Sequence, residues 1–385
     1  MPGSVIIAGA RTPIGKLSGA LAGCSAADLG SVAIEAALAR SQVSPDDVDY
    51  VIMGQVLLAG TGQVPARRAA TGAGIPMTTP ATVVNKVCLS GLNAIYQADL
   101  MISAGDADIV VAGGMESMTN APHLLLGARK GYRVGGTQLH DALMYDGLED
   151  ATSHESMGRD TENHLPGFPA VTRQRQDEFA AASHERAARA TKEGLLAEEI
   201  VPVGDVENDE GIRPGTTPTS LANLRPAFAP DGSITAGNAS QISDGASAVV
   251  ITSPATAARL GVAPLGTVLG YGMVAGPDTS LMTQPSRSTL AALAKAGLGV
   301  KDVSLFEFNE AFAAVALASM DELDLPADVV NPNGGAIALG HPIGASGNRI
   351  ALTLMHELRR RGGGIGVAAL CGGGGQGDAL VLQSV

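Results

Sequence analysis

Tryptophan is absent from this 385-residue chain and aromatic residues make up only 3% of it, so the core has to be built from Ala, Val, Leu and Ile. Positive charge is also short. Lys and Arg number 25 against 38 Asp and Glu, a formal net charge of −13. That balance argues against a broad nucleic-acid footprint, which needs concentrated cations, but leaves room for an anionic ligand at a local basic patch. Three cysteines are too few for a disulfide framework and leave at least one thiol unpaired, which fits a reducing compartment. No apolar run approaches ~20 residues free of charge and turn signals, so no membrane span is expected. MPGSVIIAGARTPIGK lacks the basic and apolar regions of a secretory signal, and LVLQSV is not a peroxisomal tripeptide. A cytoplasmic protein is the expectation. The seven histidines are dispersed, without Cys/His ligand spacing, so no metal is expected.

What is present is globular: 45% hydrophobic and 16% charged residues, enough chain for two or three domains. The 50 glycines follow no G-X-Y period and cluster at turns and around a few reactive residues. Short apolar runs (VIIAGA, DYVIMGQVL, ADIVVAGG) alternate with helical patterns, a β-α-β rhythm that predicts a sheet covered by helices. ADIVVAGG reads as a strand buried on both faces.

The rhythm occurs twice. DVDYVIMGQVL (47–57) is echoed by DVSLFEFNEAF (302–312), and VVNKVCLSGLNAI by VVNPNGGAIALGHPIGASGNRIAL. Ser90–Gly91 thereby returns as Ser346–Gly347. ADIVVAGGMES is echoed by GIGVAALCGGG. The same order and similar spacing predict an internal duplication of one α/β unit. Between the copies, from about Met118 to Ser247, the texture changes to histidines, charges and Pro-Gly pairs. RQRQDEFAAASHERAARATKEG (173–194) predicts an amphipathic helix ending at Gly194. The stretch is too long for a structureless loop and reads as an insertion on the first copy. The expected division is 1–117, 118–248 and 249–385.

Cys88 ends an apolar stretch and opens a helix beginning Leu89-Ser90-Gly91. The positive end of a helix dipole is expected to lower its pKa, and a strand-turn-helix presents one side chain to substrate. His341 lies among glycines, where the backbone allows close approach of a ligand. Cys371 follows the strand IGVAAL and precedes four glycines whose N–H groups can converge on an oxyanion. Too few residues follow Gly377 for that run to open a dinucleotide-binding unit. Asn309 and Glu310 close a strand at the mouth of a helix, and capping is the simpler reading of the asparagine. A thiolate nucleophile, an imidazole base and a second thiol able to move a proton to or from carbon together point to acyl transfer on thioesters.

With these stretches assembled, the chain resembles a thiolase, an acetyl-CoA acyltransferase. ARTPIGK, GQVLLAGTGQVPARRAA, VCLSGL, AGGMESM, LRPAF, TAGNASQISDGA, NEAF, GGAIALGHPIGASG and CGGGGQG carry the resemblance across essentially the whole sequence. It implies an α/β thiolase fold. Two duplicated βαβαβαββ core domains form five layers, α-β-α-β-α, and a loop domain in the first binds coenzyme A and makes oligomer contacts. It further implies that Cys88 takes the acyl group, His341 draws off its proton, and Cys371 deprotonates the second acetyl-CoA. His341 and a water held by Asn309 would stabilise the enolate. The N–H groups of Cys88 and Gly373 would stabilise the tetrahedral intermediate. Ser240 corresponds to a pantetheine-contacting serine, Arg213 to an arginine near the nucleotide, and Met157 to the pantetheine path. The resemblance implies acyl-CoA substrates with no prosthetic group, a homodimer or homotetramer, and a place in fatty acid and lipid metabolism. Two departures, Ser156-Met157 for His-Met and Ser280–Pro285 for Met-Gly-x-Gly-Pro, leave the acyl-chain preference open. An acyl-carrier-protein condensing enzyme would lack a second catalytic cysteine, and a silent CoA-binding relative would have lost a catalytic position. Cys371 and the intact set argue against both.

Overall fold

The computed structural model describes residues 3–384. The first half runs β1 (Val5–Arg11), β2 (Gly15–Lys16), α1 (Ala26–Ser41), β3 (Tyr50–Gly54), α2 (Pro65–Gly72), β4 (Ala81–Val84), α3 (Ser90–Ala104) and β5 (Ile109–Ser117). An excursion then contributes the ribbon β6 (His123–Leu124) and β7 (His140–Asp141), with helices α4 (Met157–His164), α5 (Arg173–Lys192) and α6 (Pro218–Ala222). β8 (Ser243–Thr252) returns to the first half. After α7 (Pro254–Leu260) the second half runs β9 (Gly266–Ala275), α8 (Gln284–Ala296), β10 (Leu305–Phe308), α9 (Ala313–Leu323), α10 (Ala336–Leu339), α11 (Ser346–Arg360), β11 (Gly364–Gly372) and β12 (Gln376–Ser384).

The duplication is visible in the pairing. In the first half β3 lies parallel to β4 and β5, β5 is antiparallel to β8, and β8 to β1. In the second half β10 lies parallel to β11, with an isolated parallel bridge to Val330 in the place of β4. β11 is antiparallel to β12, and β12 to β9. A short antiparallel contact of β1 with β9 joins the halves into one ten-stranded sheet, with strand order β10-β11-β12-β9-β1-β8-β5-β3-β4 and β2 beside β8. A boundary at 248 falls inside β8, which completes the first half.

Three apolar layers hold the sheet and helices together. Ile34 and Leu38 of α1 and Ala69 of α2 pack on Val51, Met53 and Val111. Leu92 and Ile95 of α3 and Ile350, Leu354 and Leu358 of α11 lie between Ile52 and Val110 on one side and Leu305, Ala368 and Leu380 on the other. Leu293 of α8 and Met320 of α9 cover Phe306, Val367 and Val381. The order is helix, sheet, helix, sheet, helix. Strands buried on both faces explain why ADIVVAGG and IGVAAL are continuous apolar runs rather than alternating ones.

α3 and α11 meet at their first turns, and glycine makes this possible. A Cβ on Gly91 would stand 2.8 Å from the backbone nitrogen of Asn348, and one on Gly347 2.5 Å from that of Leu92. The loops that enter both helices are thereby brought to one place. α5 begins at Thr172, whose side chain accepts from the Arg175 N–H, and ends before Gly194 in a left-handed conformation.

Candidate active site

Cys88 sits on a strained turn. Val87, immediately before it, has φ +52°, a left-handed conformation that a β-branched side chain resists. Ser90 in the first turn of α3 clasps this turn. Its Oγ donates to the Val87 carbonyl at 2.6 Å and accepts the Lys86 N–H at 2.8 Å. The Cys88 sulfur faces its own N–H and that of Gly373. The expected lowering of its pKa does not follow. Burial pushes the thiol up to about 12, the two N–H groups pull only partly against it, and the charge of Glu116 adds to the rise. Cys88 therefore rests as a thiol, and its activation needs a base.

His341, the histidine expected to serve as that base, lies in the loop between α10 and α11. Gly340 (φ +116°) would set a Cβ 2.3 Å from the Ser243 Oγ, so only glycine lets the loop approach β8. The His341 N–H donates to the Gln241 carbonyl and to Ser243 Oγ, fixing the backbone. Its ring is buried. Nδ1 lies 2.6 Å from Ser346 Oγ, and Nε2 lies 3.4 Å from Asn309 Nδ2. Burial, with a smaller contribution from the Arg349 charge, lowers its pKa to about 3, so the imidazole is neutral around pH 7.

Asn309 does not cap a helix. α9 begins after Phe312 without a side-chain cap, and Asn309 turns to His341 instead. Its Oδ1 is buried without a protein partner, an acceptor suited to an ordered water. Neighbouring Glu310 accepts from Ser183 Oγ, Asn331 Nδ2 and the Ile337 N–H, tying α5 and α10 to the end of β10.

Cys371 lies near the end of β11, opposite Gly377 of β12 and buried beside Met282, Ala311 and Phe312. Burial raises its thiol pKa far above the ordinary range, and the nearby Cys88 sulfur raises it further. The two thiols are thus neighbours although 283 residues apart in the chain. Gly373 follows Cys371 and supplies the N–H that faces Cys88.

A cavity of about 460 Å³ leads to His341. Ser240, Met157, Ser156, Leu148, Phe228 and Phe312 are among its lining residues, so two of the three residues expected along the CoA path are there. Arg213, the third, is exposed and is not among them; its N–H donates to His184 Nδ1. A second cavity, about 350 Å³, opens beside Val87, Gly373 and Gly374, and Met157 lines both.

Sequence reasoning missed Glu116. This carboxylate ends the apolar strand β5, fully buried, and accepts from the N–H groups of Val56, Leu57 and Gly344. It stitches the loop after β3 to the His341 loop, and burial pushes it up to about 7. A charged residue inside GGMESM was the available signal. Ser346 was noted only as part of a repeat.

Among the described residues, no group of His, Cys, Asp or Glu is arranged to hold a metal ion, and no helix is long and apolar enough to cross a membrane. Comparison with known proteins agrees with the geometry. The thiolase N-terminal domain model matches residues 4–255 and the thiolase C-terminal domain model residues 262–384. A protein of Mycobacterium leprae named probable acetyl-CoA acetyltransferase is 54% identical over 396 residues, covering 100% of both chains. One of the same name from Mycobacterium tuberculosis is 53% identical, again over 100% of both. The acetyl-CoA acetyltransferase of Cupriavidus necator is 49% identical over 98% of each. Matched from end to end by both domains and by these relatives, the chain belongs to the thiolase family.

Proposed function

We propose that this chain is an acetyl-CoA C-acyltransferase that cleaves acetoacetyl-CoA or another 3-oxoacyl-CoA with CoA, and in reverse condenses an acyl group with acetyl-CoA. The observation that carries the reading is a pair of neighbouring thiols, Cys88 and Cys371, together with an Asn309–His341 pair whose histidine lines an apolar cavity.

The resting site holds two thiols and a neutral imidazole, and the protons balance from that start. His341 Nε2 takes the Cys88 proton as sulfur attacks the thioester carbonyl, whose oxyanion meets the Cys88 and Gly373 N–H groups. The departing CoA thiolate takes the Cys371 proton and leaves as free thiol. What remains is acyl-Cys88, a Cys371 thiolate and an imidazolium. The next acetyl-CoA gives its α-proton to Cys371, and its enolate oxygen faces the His341 Nε2–H and a water on Asn309 Oδ1. Carbon attack on acyl-Cys88 expels the thiolate, which recovers its proton from His341. Thiolysis is the reverse, and ping-pong kinetics follow.

Ser240 and Met157 guide the pantetheine arm, and Arg213 meets the nucleotide end from the rim. The insertion is the CoA-binding and oligomer-contact domain. Its exposed Leu125, Leu126, Val134 and Leu139 support a homodimer or homotetramer. The reading places the enzyme in cytoplasmic fatty acid and lipid metabolism. The test is CoA-dependent loss of acetoacetyl-CoA and of longer 3-oxoacyl-CoAs. The parent should turn over at least one of them. C88A should fall by a factor of about a thousand or more, and unchanged turnover in C88A would refute the nucleophile.

A further inference from the structure

Each central helix carries a Ser-Gly pair in its first turn, Ser90–Gly91 in α3 and Ser346–Gly347 in α11. The glycines let the helices touch. The serines are not explained by that contact or by the acyl-transfer chemistry. Ser90 clasps the turn that presents Cys88. Ser346 is its counterpart in the second half, but it reaches a reacting side chain.

The Ser346 hydroxyl lies 2.6 Å from His341 Nδ1 and 3.0 Å from the Pro342 carbonyl oxygen. A hydroxyl has one proton to donate, and a carbonyl can only accept. With the serine proton on the Pro342 oxygen, Oγ is left as an acceptor, and the hydrogen between the two side chains belongs to Nδ1. Nε2 then keeps its lone pair on the side of the ring that faces Asn309. We propose that Ser346, backed by the Pro342 carbonyl, is a positioning residue that fixes His341 as the Nδ1–H tautomer and receives that N–H when Nε2 takes up the Cys88 proton.

The inference rests on the reading of His341 as the base. The opposite tautomer would place the hydrogen on Nε2 and leave Cys88, a thiol with a raised pKa, without an acceptor. Burial keeps the resting ring neutral, so its surroundings have to select a tautomer rather than a charge state. Ser346 and His341 are five residues apart across a turn in which the Ser346 N–H also donates to the Pro342 oxygen. The backbone that carries the histidine therefore also sets the serine. Ser346 passes no proton to substrate, and the proton balance of the reaction is unchanged.

The test compares full-length S346A, S346T and H341N. S346A should lose about ten- to a hundredfold in kcat, the range seen when a neutral or charged partner orienting a metal-bound histidine is removed, with KM within about threefold of the parent. Its melting temperature should stay within about 5 °C. S346T, which keeps the hydroxyl, should recover most of the rate. The ¹⁵N spectrum of histidine-labelled resting enzyme, with His341 assigned by its loss in H341N, should show hydrogen on Nδ1 and a bare Nε2. S346A should give a mixture of tautomers. A resting His341 with hydrogen on Nε2 would overturn the proposal, whatever the threonine variant does. So would S346A with parental kcat. Failure of the underlying reading looks different, because H341N would then keep parental turnover.

Discussion

At Cys88 and His341, burial outweighs the helix dipole in setting the protonation state. Cys88 lies at the start of α3, yet desolvation pushes its thiol up to about 12 and holds the His341 imidazole down to about 3. Two consequences are measurable. First, kcat/KM should show no acid limb at the ordinary histidine pKa of about 6.5; a limb there would mean that His341 titrates as an exposed residue. Second, the unfolded chain binds a proton at this histidine between pH 6.5 and about 3 while the folded chain does not. The contribution of His341 is therefore fully present above pH 6.5 and is lost as pH falls toward 3. H341N should lose less stability than the parent over that interval in a pH series of denaturant unfolding curves. Cys371 has a different assignment. C371A should still form acyl-enzyme, because a CoA thiolate can leave and take its proton from solvent, but should slow condensation and thiolysis by about a hundredfold or more; a variant that cannot be acylated would show that Cys371 is required in the first half-reaction as well.

At the scale of elements, the site exists because two loops, each entering a central helix, are pressed together. Gly91 and Gly347 permit the contact, and Glu116 pins the His341 loop to the loop after β3. G347A should force α11 from α3, cost about 1–3 kcal/mol of stability and lower turnover, as thermal melts and initial rates would show. An alanine tolerated without loss of either would mean that the helices can separate freely. Much of this was legible in the sequence. Cys88, His341 and Cys371 stood in glycine-dense settings, and the repeated Ser-Gly pair lay at corresponding points of the two copies. The pairing of Asn309 with His341 was implied by the family resemblance but not by the local pattern, because a strand-end asparagine before a helix looks the same whether it caps or turns away. Nor was the strain at Val87, since nothing in its neighbours' identities demands a left-handed valine. The balance between dipole and burial at Cys88 depends on packing by residues distant in sequence.

Across the whole molecule, the stretch between β5 and β8 is bound to both halves through arginines. Arg11 of β1 is buried against Glu199 at 2.7 Å and Asp209 at 2.7 and 2.9 Å. From α5, Arg175 meets Asp321, and Arg186 and Arg189 donate to carbonyls at Val330 and Pro332. The same stretch supplies Met157, Phe228 and Ser240 to the cavity, so the path to His341 depends on this attachment. R11M would strand two buried carboxylates and should destabilise the protein by about 3–5 kcal/mol in chemical denaturation. A change under about 1 kcal/mol would show that the pair is solvated. The duplicated sheet was foreseeable from the echoed motifs. Its closure into one ten-stranded sheet was not, because the joining contact is only Val5 with Thr267 and Ile6 with Gly266.

The most direct test of acyl transfer through Cys88 is intact-protein mass spectrometry of C371A after brief exposure to acetyl-CoA and acetoacetyl-CoA, with peptide mapping of the adduct. One acyl group on the peptide containing Cys88, discharged when free CoA is added, is the predicted result. Folded protein that carries no adduct, or an adduct on another residue, would contradict it.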